Sequence, residues 1–185
     1  FVKNSKNGTF LFFRGFMDYH KNNFKDFSLI ILIRGRIMAL LPANVDGDSI
    51  ISHGGLTYGG LILPRNIRLN TCLLIIRHIL NFLFQNGYKN FLYKAIPIFY
   101  TGVPSREEDY FFFLLQAKIF RVDTSLTIKK NDQIAYQKRR TRSIKKAKNA
   151  ALNVKFDDNF KLFWENILTP NLKKRFGKNP VHNLQ

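Results

Sequence analysis

Cysteine is nearly absent from this chain of 185 residues. The one cysteine, Cys72, excludes an internal disulfide and any zinc site built from several thiolates. It lies in an apolar run, which is typical of a buried, unreactive thiol. The four histidines lie far apart and lack metal-ligand spacing, so we expect no metal site; they are His20, His53, His78 and His182.

Long apolar runs are also missing. The longest candidate, Cys72 to Phe84, carries Arg77 and His78 and falls short of the roughly 20 apolar residues that a spanning helix needs. The first eight residues lack the basic start, apolar middle and cleavage site of a signal peptide. We therefore expect no transmembrane segment and a cytoplasmic location, while the sequence leaves the oligomeric state open.

The two ends of the sequence suggest a longer protein. The chain starts at Phe1, without a methionine, and stops at Gln185 shortly after a helical pattern. We expect it to be a fragment.

Positive charge is abundant. Thirty Lys and Arg face twelve Asp and Glu, a formal charge of +18. Such an excess suits a nucleic acid, an anionic membrane or a phosphorylated ligand, and by itself does not select among them. The surplus of Lys, Asn, Ile and Phe is equally typical of an AT-rich genome, in which case part of the charge has no functional cause.

Hydrophobic spacing predicts a mixed α/β (α+β) fold. The predicted helices span 10–20, 71–86, 106–117, 132–150 with Asp132 as its cap, and 159–168, ended by Pro170. The predicted strands span 27–33 and 37–45, joined at Arg34-Gly35-Arg36 with Pro42 at an edge or bulge, and then 50–52, 60–63, 91–96 and 119–128. Ser105 to Glu108 matches a capping box. Helices therefore cover a mixed, mostly antiparallel sheet.

A glycine-rich loop is the best local candidate for a binding site. His53 precedes four glycines, and Thr57 and Tyr58 lie between them; the glycines are Gly54, Gly55, Gly59 and Gly60. Glycines allow a backbone to approach a ligand closely, and they equally allow a tight corner in a sheet. His53 is a possible base and Tyr58 a hydrogen-bonding group, although a lone histidine is more often structural.

A cationic segment follows later in the chain. Seven of the eleven residues from Lys138 to Lys148 are Lys or Arg, and no acid occurs from 134 to 155. Like charges at four-residue spacing repel each other on a helix, so an anionic ligand would remove a cost. We favour anion binding over a merely solvated face, with Arg139, Arg142, Lys145 and Lys146 as the candidates.

Four segments together resemble FemAB-like proteins of the GNAT acyltransferase superfamily. They contain Phe-Met-Asp-Tyr-His, Ala-Leu-Leu-Pro-Ala-Asn, Thr-Tyr-Gly-Gly and Arg-Ser-Ile-Lys-Lys-Ala, and they occupy 16–20, 39–44, 52–62 and 142–147. The resemblance follows the order of nearly the whole chain. It implies a GNAT-like N-terminal domain over 1–130, with helices on both faces of its mixed, mostly antiparallel sheet. Over 131–185 it implies the basic helix and the truncated start of a second such unit.

The resemblance also implies a function. Such a protein is an N-acyltransferase that passes an acyl or aminoacyl group from a thioester or aminoacyl donor to an amine, for example on a cell-envelope sugar or peptide precursor. The implied donor is acyl-CoA, such as acetyl-CoA, or an aminoacyl-tRNA. The glycine-rich acyl-CoA turn of GNAT enzymes does not occur, so we expect the donor site in a second half beyond Gln185, or a degenerate half here that shapes the acceptor cleft.

Three functions stay open at this point. For a transferase, we expect His53, Tyr58, Gly59 and Gly60 to line the acceptor side, while the catalytic residues are unknown. The alternative is a nucleic-acid-binding module that uses 138–148, although recognition motifs are missing. The third is an interaction scaffold without activity.

Overall fold

A computed structural model describes residues 1–129, 131, 134–181 and 184. The chain forms two units, Phe1–Val122 and Asp123–Gln185. The boundary between the two units, after Val122, lies eight residues before the domain boundary predicted at 130. The GNAT-like identity of both domains remains a prediction.

The strands of the first unit form two sheets. They are β1 (Lys25–Asp26), β2 (Leu29–Ile33), β3 (Arg36–Leu41), β4 (Asn44–Asp46), β5 (Ser49–Ile51) and β6 (Asn90–Leu92). One sheet has the order β1-β4-β5-β6, in which only β5 and β6 run parallel, and β2 pairs with β3 in a second, antiparallel sheet. The predicted mixed and mostly antiparallel α/β architecture is confirmed. The narrower GNAT-like arrangement, with helices on both faces, stays a prediction.

The β2–β3 hairpin turns where the sequence predicts. Arg34 and Gly35 both adopt positive φ, 49° and 74°, which the favoured two-residue hairpin turn requires. Leu32 pairs with Ile37 and Ile31 with Ala39, so Met38 forms a bulge. Pro42 lies between β3 and β4, outside the ladder.

The clearest predicted helix is also confirmed. The first unit contains α1 (Arg14–Met17), α2 (Leu69–Gln85) and α3 (Glu107–Leu114). The buried residues of α2 recur at helical spacing, and Gly87 follows with φ of 83°. The helix predicted over 10–20 is instead broken into short 3-10 turns on either side of α1.

Two predicted strands do not form. The segment 119–128 is irregular, and its apolar side chains are exposed, because no neighbouring strand of the described residues pairs with it. The segment 60–63 makes only one bridge, from Ile62 to Leu40. The strand predicted over 91–96 is shorter, at Asn90–Leu92, and lies parallel to β5.

The predicted capping box is wrong. Arg106 occupies the position before α3, and Ser105 makes no capping bond to the helix amides. Its hydroxyl donates instead to the carboxylate of Glu107, which is paired with Lys6. A tertiary ion pair therefore replaces the local cap.

Two apolar clusters form the core of the first unit. The larger one joins the sheets to α2 and α3 through residues such as Ile50, Leu61, Ile75 and Phe111. The second lies beneath the N-terminal segment and the glycine-rich loop; its buried members are Leu11, Phe12, Met17, Leu56, Tyr58, Ile62 and Ile96.

The second unit is helical in its described part. It contains α4 (Lys138–Asn149), α5 (Phe160–Phe163), a π-helical turn (Trp164–Leu168) and α6 (Thr169–Phe176). Pro170 does not end the last helix as predicted. It stands in the first turn of α6, directly after the π-helical turn, and Gly177 ends α6 with φ of 63°.

Two further expectations concern this part of the chain. The predicted cap Asp132 lies outside the described residues, and the helix begins at Lys138. No helix among the described residues combines the length and apolarity that crossing a membrane requires.

The turn geometry predicts a difference between two glycine substitutions. Gly35 and Gly15 both face open space, but only Gly35 has positive φ. Gly35→Ala is expected to lower the free energy of unfolding by about 1 kcal/mol or more. Gly15→Ala, in α1, is expected to leave it equal or slightly higher. Urea unfolding measures both, and an equal effect would contradict the assigned turn.

Candidate functional site

The glycine-rich loop follows β5 and begins at His53. His53 has a φ of 66° and only 5% exposure, and its ring lies 5.8 Å from that of Phe24. Its carbonyl accepts from the amide of Leu56 at 3.1 Å. The amide of Gly54 donates to Asn44 Oδ1 at 2.6 Å, which joins the loop to β4. The start of the loop is thus a tight turn in which His53 is buried and Gly54 stays exposed.

Gly59 and Gly60 form a crowded corner at the other end. A Cβ on Gly59 would lie 1.8 Å from the carbonyl oxygen of Ser52. Gly60 has a φ of 91°, and a Cβ there would lie 2.6 Å from the ring of Tyr93. The phenol oxygen of Tyr93 accepts from the amide of Leu61 at 2.8 Å. Close packing inside the protein therefore explains why glycine occupies both positions.

Tyr58 is 6% exposed and bonded within the fold. Its hydroxyl donates to Thr9 Oγ1 at 3.1 Å. Its ring stacks on Tyr100, with centroids 5.1 Å apart, and meets the ring of Phe12 edge-on at 5.9 Å. The phenol therefore lies beneath the N-terminal segment.

Lys94, which follows β6, holds this loop in place, and the sequence analysis did not predict it. Its ammonium group donates to the carbonyls of His53, at 3.3 Å, and of Leu56. Its backbone amide donates to Ser52 Oγ at 2.7 Å. Burial, together with the nearby charge of Arg121, lowers the pKa of Lys94. No local spacing could reveal it, because β6 brings it to the loop from a distant part of the chain.

The four predicted acceptor-side residues share one loop but face different surroundings. His53 lies beside Phe24, Tyr58 beside Thr9 and Tyr100, and the two glycines beside Ser52 and Tyr93. Their place in an acceptor cleft remains a prediction.

A group of charges, two of them buried, lies at the start of α3, where the sequence predicts only a capping box. Lys6 is 3% exposed and pairs with Glu107, while Glu108 is 7% exposed. Burial, reinforced by the charges of Glu107 and Asp109, raises the pKa of Glu108 to about 7. Bonds from Lys6 and Ser105 outweigh burial for Glu107 and lower its pKa. Two adjacent carboxyl groups thus titrate in different ranges.

The predicted anion-binding residues lie on α4. All seven cationic side chains of this helix are exposed, and no carboxylate of the described residues pairs with them. At 3.6 residues per turn, five of them fall within an arc of about 120°; these five are Lys138, Arg139, Arg142, Lys145 and Lys146. Ile144 and Ala147, on the other side, are the least exposed residues of the helix. We call the five residues the cationic stripe.

An apolar groove of about 280 Å³ lies between α2 and α3. Arg77 and Asn81 supply its polar groups, and the predicted site residues do not line it. Within the described residues, no group of three or more His, Cys, Asp or Glu side chains is placed to hold a metal ion.

Comparison with protein-family models, with curated proteins and with solved structures finds no match for this chain. The function must therefore be argued from the residues and their geometry.

The corner predicts a second pair of glycine substitutions. Gly60 and Gly47 both have positive φ, but Gly47 faces open space while Gly60 faces the Tyr93 ring. Alanine at either position is strained by the positive φ, and only at Gly60 does its Cβ also collide with the Tyr93 ring. Gly60→Ala should lose about 2 kcal/mol more stability than Gly47→Ala in urea unfolding. Equal losses would mean that the corner has room for a side chain.

Proposed function

We propose that this chain belongs to an N-acyltransferase in which the cationic stripe holds an anionic acyl donor or carrier. The observation that carries the proposal is the exposed row of five cations on α4, without a paired carboxylate among the described residues. The four segments that resemble FemAB-like proteins support the same class, and the mostly antiparallel mixed sheet agrees with it.

The stripe suits a donor with several phosphates. Each guanidinium or ammonium group donates charge-assisted hydrogen bonds, and arginine can bind phosphate through two at once. Acyl-CoA carries three phosphate groups, and an aminoacyl-tRNA carries one phosphate per nucleotide along its backbone. Because the five cations repel one another on α4, binding either donor would lower that repulsion.

The acceptor is proposed to be an amine, which must attack the donor carbonyl in its neutral form. Such a reaction benefits from groups that orient the amine and donate to the developing oxyanion. Tyr58 and His53 are our candidates on the acceptor side. The bond from Tyr58 to Thr9 means that the phenol must change partner before it can contact an acceptor.

A second candidate is a nucleic-acid-binding module. The observation in its favour is the length of the stripe: from Lys138 to Lys146 it extends about 12 Å along α4, so it can contact more than one successive phosphate. Affinity for RNA would then fall linearly with log salt, with a slope near the number of phosphates neutralised.

Ligand binding separates these candidates. Arg139, Arg142, Lys145 and Lys146 are replaced together by Gln, and a matched variant replaces Lys155, Lys173, Lys174 and Lys178 of the same unit. Acetyl-CoA and a 20-nucleotide RNA are titrated in turn at low and high salt. We expect the first variant alone to weaken acetyl-CoA binding at least tenfold, since each lost contact contributes about 1 kcal/mol. The first variant should also unfold at an equal or higher urea concentration.

Three other outcomes would redirect the conclusion. Binding of RNA without acetyl-CoA would favour the nucleic-acid module or an RNA-borne donor. Equal loss of affinity in both variants would show that the net positive charge of the unit, and not the stripe, binds the ligand. Absence of binding to either ligand would contradict an anion site on α4.

A second experiment concerns Tyr58. Tyr58→Phe and Thr9→Ala remove the same hydrogen bond, so their structural effects should be similar, near 1 kcal/mol. If the phenol assists acyl transfer, only Tyr58→Phe should lower kcat, by about tenfold or more. The assay measures free thiol released from acetyl-CoA with amino-sugar and peptide amines as acceptors. Equal kcat in both variants would make Tyr58 a packing residue.

A further inference from the structure

The strand β2 lies at an open edge of its sheet. It pairs with β3 on one side, and no strand among the described residues pairs with its other side. Its five residues, Leu-Ile-Ile-Leu-Ile, include none of the lysines or prolines with which proteins commonly protect such an edge from other chains. An extended segment of another chain can therefore add to the sheet at this place.

The hydrogen bonds of the hairpin show which backbone groups face outward. Just before β2, the amide of Phe27 donates to the carbonyl of Ala43 at 2.8 Å. In an antiparallel pair, every second residue of a strand bonds to its partner strand. The bulge of the hairpin lies in β3, so this alternation continues along β2 without interruption. Ile30 and Leu32 therefore direct their N–H and C=O groups away from β3, toward the open edge.

The side chains of the same two residues lie on the exposed face of the hairpin. Ile30 is 65% exposed and Leu32 is 59% exposed, and Ile37, which pairs with Leu32, is 42% exposed. Ile31 points to the other face, where it packs against the larger apolar cluster. The edge thus combines open backbone groups with a small apolar patch beside them.

A second copy of β2 fits this edge in one antiparallel register. When Ile30 of one copy lies opposite Leu32 of the other, the reverse pair forms as well, and each pair exchanges two backbone hydrogen bonds. A two-fold axis then passes beside Ile31 of both copies. The exposed side chains of the two copies meet on one face, apolar against apolar. The edge is therefore complementary to itself.

Charge complementarity favours the same register, which places Arg34 of one copy opposite Ser28 of the other. No carboxylate of the described residues pairs with Arg34. The hydroxyl of Ser28 donates to Asp26 at 2.6 Å, and Arg14 pairs with both Asp26, at 2.8 Å, and Asp18, at 2.9 Å. The lysine before Asp26 points to the other face of the strand. Two carboxylates share one guanidinium there, so the arginine of the second copy meets a negative site.

We propose that β2 pairs with β2 of a second copy of this chain, antiparallel and with Ile30 opposite Leu32, so that the sheet continues across a two-fold axis. Two strands of this length bury less than the about 1,200 Å² of a standard interface, so the dimer is weak and reversible. The sequence alone leaves the oligomeric state open. The pairing depends neither on acyl transfer nor on the cationic stripe.

Disulfide cross-linking tests the register. Ile30→Cys and Leu32→Cys are prepared as separate proteins and oxidised alone and as an equal mixture; the native Cys72 is fully buried. Opposite residues of a hydrogen-bonded pair have Cα atoms about 5.5 Å apart, which a disulfide spans. In either variant alone the two cysteines are diagonal neighbours, about 7–8 Å apart, which is too far. The mixture should therefore give about fivefold more cross-linked dimer, or better, than either variant alone.

Sedimentation velocity of the intact chain measures the dimer without added cysteines. The weight-average sedimentation coefficient of the wild type should rise with protein concentration. Leu32→Lys puts a charge against the apolar Ile30 of the second copy, so this rise should disappear. Phe84→Lys adds the same charge at the end of α2, where the side chain is 80% exposed, and should keep the rise.

Each other outcome overturns the proposal. A wild-type coefficient that does not change with concentration would leave the edge to a strand from a different protein. Equal cross-linking in the mixture and in the separate variants would show contact between apolar surfaces without the proposed register. Loss of the rise in Phe84→Lys as well would assign the association to another surface or to net charge. Since no acyl donor, acceptor or RNA is present, failure of the pairing is independent of failure of the proposed function.

Discussion

The ion pair between the buried Lys6 and the partly exposed Glu107 is the contact on which the arrangement of the first unit depends. Lys6 is almost fully enclosed, and an enclosed ammonium group without a partner would cost several kcal/mol. Pairing with Glu107 removes that cost only when the N-terminal segment lies against the start of α3. The same placement brings Asn7 to Leu61 and Leu63, and Thr9 to Tyr58.

The glycine-rich loop shows why one local pattern supports two interpretations. Gly59 and Gly60 permit close approach, and the groups that approach them are Ser52 and Tyr93 of the same chain. Lys94, which follows β6, donates hydrogen bonds to the loop carbonyls of His53 and Leu56. The fold thus explains why glycine occupies both positions, and the place of Gly59, Gly60, Tyr58 and His53 in an acceptor cleft stays a prediction.

The features predicted correctly from the sequence depend on neighbouring residues. The β2–β3 turn needs only Arg34 and Gly35, and α2 needs only its own apolar spacing. The wrong predictions depend on distant partners: Ser105 bonds to Glu107 of the Lys6–Glu107 pair, and 119–128 finds no strand to pair with among the described residues. Lys94 and the Glu108 environment could not be predicted, since burial by distant segments creates both. The continuation of the helix through Pro170 could not be predicted either, since it goes together with the π-helical turn just before it.

A double-mutant cycle on Lys6 and Glu107 tests the central claim most directly. Lys6→Met and Glu107→Gln are compared, singly and together, by urea unfolding at pH 6. We predict that Glu107→Gln loses about 3 kcal/mol or more, because it leaves the buried Lys6 ammonium without its partner, and that Lys6→Met loses less, because Glu107 is partly exposed. The double variant should lose clearly less than the sum of the two. Additive losses would contradict the account, since the two side chains would then stabilise the unit independently.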